Sequence, residues 1–368
     1  MHSVLRQRIT ALQQGMTPLG LDAVLLCDRE NLIYFTGVHD LEGAALAVPA
    51  TGEAELICHV LDRDHVREIS GLEVVTPYVF PEQTKSGAMG KWLARRALRT
   101  PRVGFTRYFI NVKDFMSLQE AAPDMIVQDA SALCYRLRSI KNSEEIVRIE
   151  RAATFLHAGM EAALSAVRPG EYETDVLACA EYAMRRAGSE GASFRMQVLT
   201  ASRQMLLHPY AGRNIIEDNA PVVIHLGAAH QGYVAKMCRT VFLGTPPEES
   251  VAIYNALREA QDAVYAALRP GVTCGAMYEV ARSTVASLGF ARYWRLKEIG
   301  YGVGIRQSEF YPVLSESNPA VIEENMVVDF LLGTLYGPGG GPRLTDTVLV
   351  TSGGGRGLTP FTREPLYK

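Results

Sequence analysis

The sequence predicts an α/β (α+β) protein of two domains. Three observations carry that expectation: a first stretch in which short apolar strands alternate with helical patterns, a capped long helix after it, and an internal repeat beyond that helix. At 368 residues the chain exceeds one average domain, so two domains are the natural starting point.

In the first stretch, Ala23-Val24-Leu25-Leu26-Cys27, Ala44-Ala45-Leu46-Ala47-Val48 and Ala54-Glu55-Leu56-Ile57-Cys58 read as strands. A helix from about Asp62 and strands around Val74 and Val103 continue the alternation, which argues for an α/β domain. The character changes near Leu137-Arg138-Ser139-Ile140-Lys141. Asn142 or Ser143 can cap a helix there, and Glu144 and Glu145 in its first turn favour the helix dipole. A long helix is expected from about Ser143 through Val167, with the boundary just before it: domains 1–138 and 139–368.

The second domain repeats itself. Ala166-Val167-Arg168-Pro169-Gly170 is matched by Ala267-Leu268-Arg269-Pro270-Gly271, 101 positions later, where Pro and Gly stop a helix. A second helix ending near Gly188 or Gly289 follows each copy. An apolar strand comes next in each half, Val222-Val223-Ile224-His225-Leu226 and Met326-Val327-Val328-Asp329-Phe330-Leu331. Two similar halves facing each other make a central cleft.

Composition narrows the function classes. With 48% hydrophobic and 21% charged residues the chain can fill sizeable cores, and a formal net charge of -3 gives no reason to expect nucleic acid or an anionic membrane as partner. Six scattered cysteines without a C-x-x-C pair read as reduced thiols in a cytosolic chain. The N-terminus lacks the apolar core of a signal peptide, and no run approaches the roughly 18 apolar residues of a membrane span. A soluble, cytoplasmic protein with a small-molecule substrate is expected.

Several segments resemble the family of creatinase, prolidase, aminopeptidase P and methionine aminopeptidase, the pita-bread fold. They are Glu30-Asn31-Leu32-Ile33-Tyr34-Phe35-Thr36-Gly37, Arg138-Ser139-Ile140-Lys141-Asn142-Ser143-Glu144-Glu145, Gly232-Tyr233 with Arg239-Thr240-Val241-Phe242, Gly300-Tyr301-Gly302-Val303-Gly304, and Arg343-Leu344-Thr345-Asp346-Thr347-Val348-Leu349-Val350. The resemblance implies a creatinase-like N-terminal domain followed by a pseudo-two-fold catalytic-like domain. It also implies a homodimer, the N-terminal domain of one chain covering the cleft of the other, with Asn31, His39 or Asp40 near the partner's pocket.

Family peptidases hold two metal ions with two Asp, one His and two Glu. By resemblance those positions are His225, Lys236, Tyr301, Leu331 and Thr345 here, and the peptidases' second His is Ser308. A Lys ammonium repels a cation, and Leu and Thr cannot replace bridging carboxylates. No metal and no cofactor are therefore expected. Among metal-free relatives, creatinase resembles the chain at His208 in Leu207-His208-Pro209, although its two Glu positions are Cys238 and Leu331; ectoine hydrolase implies Cys238 at a nucleophile's place.

Lys236 and Cys238 lie two apart in a strand, so both side chains share a face. An ammonium beside a thiol favours the thiolate, and His208 could serve as base in Cys–His catalysis. Cys238 equally reads as a small buried apolar residue. His225 and Asp329 interrupt apolar strands and each needs a partner. Asp329 could orient a histidine, pair with Lys236 or bind a cationic substrate group. Tyr301 offers a phenolic donor, Arg343 a carboxylate clamp, and Glu309 a further carboxylate that also reads as a solvated or paired surface acid. A metal site from His208, His225 and Cys238 is chemically open, but Lys236 argues against it. The run Gly337-Pro338-Gly339-Gly340-Gly341 lacks the Lys-Ser/Thr of a phosphate loop and reads as the hairpin turn between the last two strands.

The function expected from these residues is a metal-independent hydrolase acting on a C–N bond (amidine, guanidine or amide) of a small polar metabolite. His208 would be general base or acid and Cys238 a candidate nucleophile, with Lys236 and Tyr301 assisting; His225, Asp329, Arg343 and Glu309 would bind substrate. The alternatives are a non-catalytic pseudo-peptidase binding protein and a biosynthetic cyclase or acyl-transfer enzyme.

Overall fold

Strand–helix alternation in the first 138 residues builds a single mixed sheet. The computed structural model describes residues 2–96, 98–107, 111–206, 208–295, 297–330, 335–337, 340–359 and 361–368. The chain divides into two units, Met1–Arg138 and Ser139–Lys368.

In the first unit the strands are β1 (Ala23–Leu26), β2 (Ala45–Pro49), β3 (Glu55–His59), β4 (Val74–Tyr78), β5 (Arg102–Phe105) and β6 (Ile126–Asp129), in the order β4-β3-β2-β1-β5-β6. β2 runs antiparallel to both neighbours, whereas the β3–β4, β1–β5 and β5–β6 pairs are parallel. Every residue of β1 and β2 is buried, which explains why they read as unbroken apolar runs rather than alternating ones. The connecting helices are α1 (His2–Met16), α2 (Arg29–Thr36), α3 (Arg63–Ser70), α4 (Lys85–Arg95), α5 (Val112–Ala121) and α6 (Ser131–Ser139). Trp92, Met89 and Leu118 from α4 and α5 pack on Leu25, Ala47 and Ile57 of the sheet.

The second unit opens with α7 (Ser143–Ala166), whose N-cap is Asn142. Its side chain accepts the Glu145 N–H while the Glu145 carboxylate accepts the Asn142 N–H, both at 2.9 Å, satisfying donors the helix itself cannot. Next come α8 (Glu173–Ala187), β7 (Gln197–Leu199), β8 (Pro221–His230) and β9 (Tyr233–Phe242). The second half follows as α9 (Glu248–Ala267), α10 (Cys274–Ser287), β10 (Glu298–Gly302), β11 (Glu309–Ser315), β12 (Val327–Asp329), β13 (Thr347–Thr351), β14 (Gly354–Gly357) and β15 (Leu366–Tyr367).

The sequence repeat is a structural one. Gly170 and Gly271 have φ of 89° and 94°, and their N–H groups donate to Ile216 O and Ile322 O at 3.0 and 2.9 Å. Left-handed backbone at both positions is why glycine ends each copy. The unit has two sheets: β15-β9-β8-β7, in which the C-terminal β15 joins strands of the first half, and β11-β10-β12-β13-β14 from the second half. In the first, β8 and β9, ten residues each, form an antiparallel hairpin that pairs His225 with Cys238 and Gly227 with Lys236. It turns through Gln231 and Gly232, both with positive φ as a two-residue hairpin turn requires.

The glycine run falls elsewhere than expected. Gly337 and Gly340 pair in the connection from β12 to β13, and β14 and β15 still follow; Pro338 and Gly339, like Leu331, lie outside the described residues. No described helix is long and apolar enough to cross a membrane.

The capping box makes a direct prediction. Replacing Asn142 by Ala is expected to lower the unfolding free energy by about 1 kcal/mol. Urea denaturation with an unchanged slope and a shifted midpoint would show it; an unshifted midpoint would mean the cap contributes nothing.

Candidate functional site

The site is organised around a buried ammonium. Lys236 of β9 is 2% exposed, and its Nζ forms an ion pair with Asp329 Oδ2 of β12. The ammonium also donates to Ser308 Oγ at 3.1 Å. Asp329 is fully buried, and its Oδ1 accepts the Tyr301 backbone N–H at 2.6 Å. Burial pushes the Asp329 carboxyl up, with Lys236 the strongest influence pulling it back. Gly300 permits this approach: a Cβ there would lie 1.9 Å from Asp329 O. On the other side, the Lys236 backbone N–H donates to Thr347 Oγ1 at 3.0 Å and its carbonyl accepts from the same hydroxyl at 2.9 Å. The residue is thus fixed at main chain and side chain alike.

Beside this pair lies a cavity of about 300 Å³, walled by Arg195, Gln197, His208, His225, Lys236 and Ser308 together with Phe194 and Gln307. His225 is 9% exposed, its ring packs on Phe194 at 4.7 Å between centroids, and its Nε2 is buried with no hydrogen-bond partner. Burial, then the nearby Lys236, Arg343 and His208, hold its pKa well below the ordinary 6.5. His225 is therefore a neutral imidazole.

His208 sits exposed on a loop that the protein holds by its backbone. Arg195 donates to His208 O at 2.8 Å and stacks over Tyr210 at 3.8 Å, while Gln197 donates to Pro209 O at 3.1 Å. Behind the loop, the fully buried Glu173 carboxylate accepts from the N–H groups of Thr200 and Gly212, from Asn214 and from Arg203. Arg195, Gln197, Phe194, Gln307 and Glu173 were missed in the sequence. The i, i+2 spacing of Arg195 and Gln197 leading into β7 was a usable signal; nothing in the sequence marked Glu173.

Several expected roles do not survive the geometry. Cys238 lies outside the cavity wall, fully buried against Leu199 and Val223. Its N–H donates to Thr345 O at 2.9 Å, and burial pushes its thiol up to about 12, with Lys236 not among the influences on it. The thiolate nucleophile gives way to a small buried apolar side chain. Arg343 is no free carboxylate clamp: its guanidinium donates to Gln197 Oε1, Gln204 O and Leu206 O at 3.0, 2.9 and 3.1 Å. The Tyr301 hydroxyl turns to Glu298 Oε1 at 3.3 Å, and burial pushes it up to about 12. Glu309 is not a surface acid; it is 2% exposed and accepts the Arg306 N–H. Asp329 faces Lys236 rather than a histidine or a cationic ligand group.

A metal centre was tested on the donor set. Among the described residues no group of three or more His, Cys, Asp or Glu could hold an ion, so His208, His225 and Cys238 form no such site. The cavity wall contains no carboxylate, and an ammonium stands in it. The residues present do not fit the family's two-metal centre.

The neutral burial of His225 gives stability a pH dependence. Its folded pKa is depressed, so its contribution is fully present above the unfolded value of about 6.5 and is lost as pH falls toward the folded one. Between about pH 7 and about pH 5 the wild type is expected to lose more unfolding free energy than His225→Phe, measured by urea denaturation at each pH. Identical losses would mean that His225 is not held neutral.

Comparison with known proteins places this architecture. Residues 8–140 match the creatinase/prolidase N-terminal domain and residues 147–352 match metallopeptidase family M24. The Xaa-Pro dipeptidase of Pyrococcus furiosus is 30% identical over 98% of this chain and 100% of its own length; that of Pyrococcus horikoshii is 29% identical over 98% and 99%. The crystal structure of the prolidase from Pyrococcus horikoshii OT3 superposes with a TM-score of 0.87, at 27% identity, covering 98% of this chain and 100% of that one. These relatives support enzyme status. They overturn the expectation of a metal-independent enzyme acting on an amidine, guanidine or amide bond of a metabolite, because full-length relatives are named as dipeptidases and the family is one of metallopeptidases. The chain belongs to metallopeptidase family M24, in its creatinase, aminopeptidase P and prolidase group, with an N-terminal creatinase/prolidase domain and a C-terminal pita-bread domain.

Proposed function

We propose that the cavity of the second unit takes a short peptide of the Xaa-Pro dipeptide class, the class for which the Pyrococcus relatives are named. The observation that carries this reading is the cavity itself. Its volume of about 300 Å³ lies at the small end of ligand sites, generally ~300–1,000 Å³. Its wall combines the apolar face of Phe194, suited to a pyrrolidine ring, with hydrogen-bonding groups from Gln197, Gln307 and Arg195. In this reading His208, in the cavity wall on the loop that Arg195 and Gln197 fix, transfers a proton to or from the bound peptide. Because the donor set does not fit two metals, no bond-breaking step is assigned to an ion.

Isothermal titration calorimetry with Ala-Pro tests the recognition. Saturable binding is expected, weakened roughly tenfold or more in Arg195→Ala through release of the His208 loop and loss of a wall donor. Absence of binding by any Xaa-Pro dipeptide, with or without Mn²⁺, overturns the reading. Proline release followed by mass spectrometry is expected to fall by ~10²-fold or more in His208→Ala with little change in dipeptide affinity. An unchanged rate would remove His208 from the chemistry.

The same reading includes a homodimer in which a second copy covers the cleft. Met205, Leu206 and Tyr210, all exposed beside His208, are apolar surface that such a copy would bury. Light scattering is expected to give twice the 40.4 kDa of the chain, and a monomer at micromolar concentration would exclude this arrangement.

A further inference from the structure

The cavity wall is built of donors, and three of them have capacity to spare. A Lys ammonium carries three N–H donors. That of Lys236 meets Asp329 Oδ2 and Ser308 Oγ, which leaves one. Ser308 accepts from the ammonium, so its own hydroxyl proton is free to donate. His225, more than nine-tenths buried, forms part of the wall with no partner at Nε2. As the Nε2–H tautomer it too is a donor, and an unsatisfied buried polar atom of this kind is costly unless something bonds it. Acceptors are scarce: Asp329 is occupied by Lys236 and the Tyr301 N–H, and no Asp or Glu lines the cavity.

The charges point the same way. Lys236 and Asp329 compensate each other, so the guanidinium of Arg195 leaves the wall with an excess of positive charge. A cation would meet an ammonium. A neutral ligand would leave that charge unanswered. An oxyanion satisfies both the donors and the charge, and charge-assisted hydrogen bonds are roughly twice as strong as neutral ones.

We infer that Lys236, Ser308 and His225 form an oxyanion subsite at the buried end of the cavity, and that it takes the carboxylate of a peptide ligand. This rests on the peptide reading for the identity of the ligand but not for the existence of the subsite. A free inorganic oxyanion presents the same chemistry, so two probe classes are needed.

Calorimetric titration of the full chain with Ala-Pro, its C-terminal amide Ala-Pro-NH₂ and inorganic phosphate separates the cases. Ala-Pro is expected to bind roughly tenfold or more tightly than its amide, and phosphate to compete with it. Ser308→Ala leaves the Lys236–Asp329 pair intact and is expected to weaken Ala-Pro and phosphate by about tenfold each while leaving the amide unchanged. His225→Phe, which keeps a ring against Phe194, is the second variant, and near-ultraviolet circular dichroism confirms that each is folded. Equal binding of acid and amide with no phosphate competition sinks the subsite while the peptide reading stands. Phosphate binding that depends on Ser308, with no peptide bound, upholds the subsite and removes the peptide reading. Phosphate binding indifferent to both variants overturns the subsite.

Discussion

The Lys236–Asp329 ion pair joins the two halves of the second unit. Lys236 belongs to β9 of one sheet and Asp329 to β12 of the other, and both side chains are removed from water. Such a pair adds little net stability compared with apolar packing, yet leaving either charge alone would cost several kcal/mol. Its consequence is therefore geometric. Asp329 orders the Tyr301 N–H, Lys236 orders Ser308, and Thr347 on β13 closes around the Lys236 main chain. A second buried pair, Arg239 with Asp346 at 2.7 Å, ties β9 to the residue that precedes β13. The cavity wall is thus set by interactions that cannot be lost singly.

The other wall is arranged by a different means. His208 lies in a loop, and loops are ordered only when their backbone groups are satisfied. Here a single carboxylate, Glu173 at the start of α8, gathers donors from both ends of the loop, Thr200 and Arg203 before His208 and Gly212 and Asn214 after it. Arg343, Arg195 and Gln197 then bind carbonyl groups within it. Arg343 thereby acts on the site through the loop, although it does not itself stand in the wall.

The fold was legible because its signals are local. Apolar runs, the Asn142 cap and the Arg-Pro-Gly stops at 168–170 and 269–271 each depend on a few adjacent residues. The site was legible only in part. His208, His225 and Lys236 could be named from their positions, and all three line the cavity. Strand alternation put Cys238 on the face of Lys236, but a lysine is long enough to leave a buried strand and reach a cavity while a cysteine is not. The Cys238 side chain ends among Leu199 and Val223, and its main chain pairs with Thr345. Alternation predicts direction and says nothing about reach. Glu173 was invisible for the opposite reason, since its partners lie 27 to 41 residues further along the chain and no short motif records them.

Family membership and donor set disagree about what the cleft can attract, and the disagreement has a simple electrostatic form. Metallopeptidase sites concentrate carboxylates, so that the field of the empty cleft draws cations. In this chain, Asp329 is neutralised by Lys236, Glu309 is buried away from the wall, and the wall itself holds no carboxylate. The lining of this cavity, with an ammonium and no carboxylate, is not one that concentrates cations. A peptide bound here would be held through its oxygen atoms by the donors of Lys236, Ser308 and Arg195. Sheet pairing, helix caps and the repeat glycines do not depend on the residues that line the cavity, and this is how a pita-bread fold at about 30% identity to dipeptidases can be kept whole around this lining.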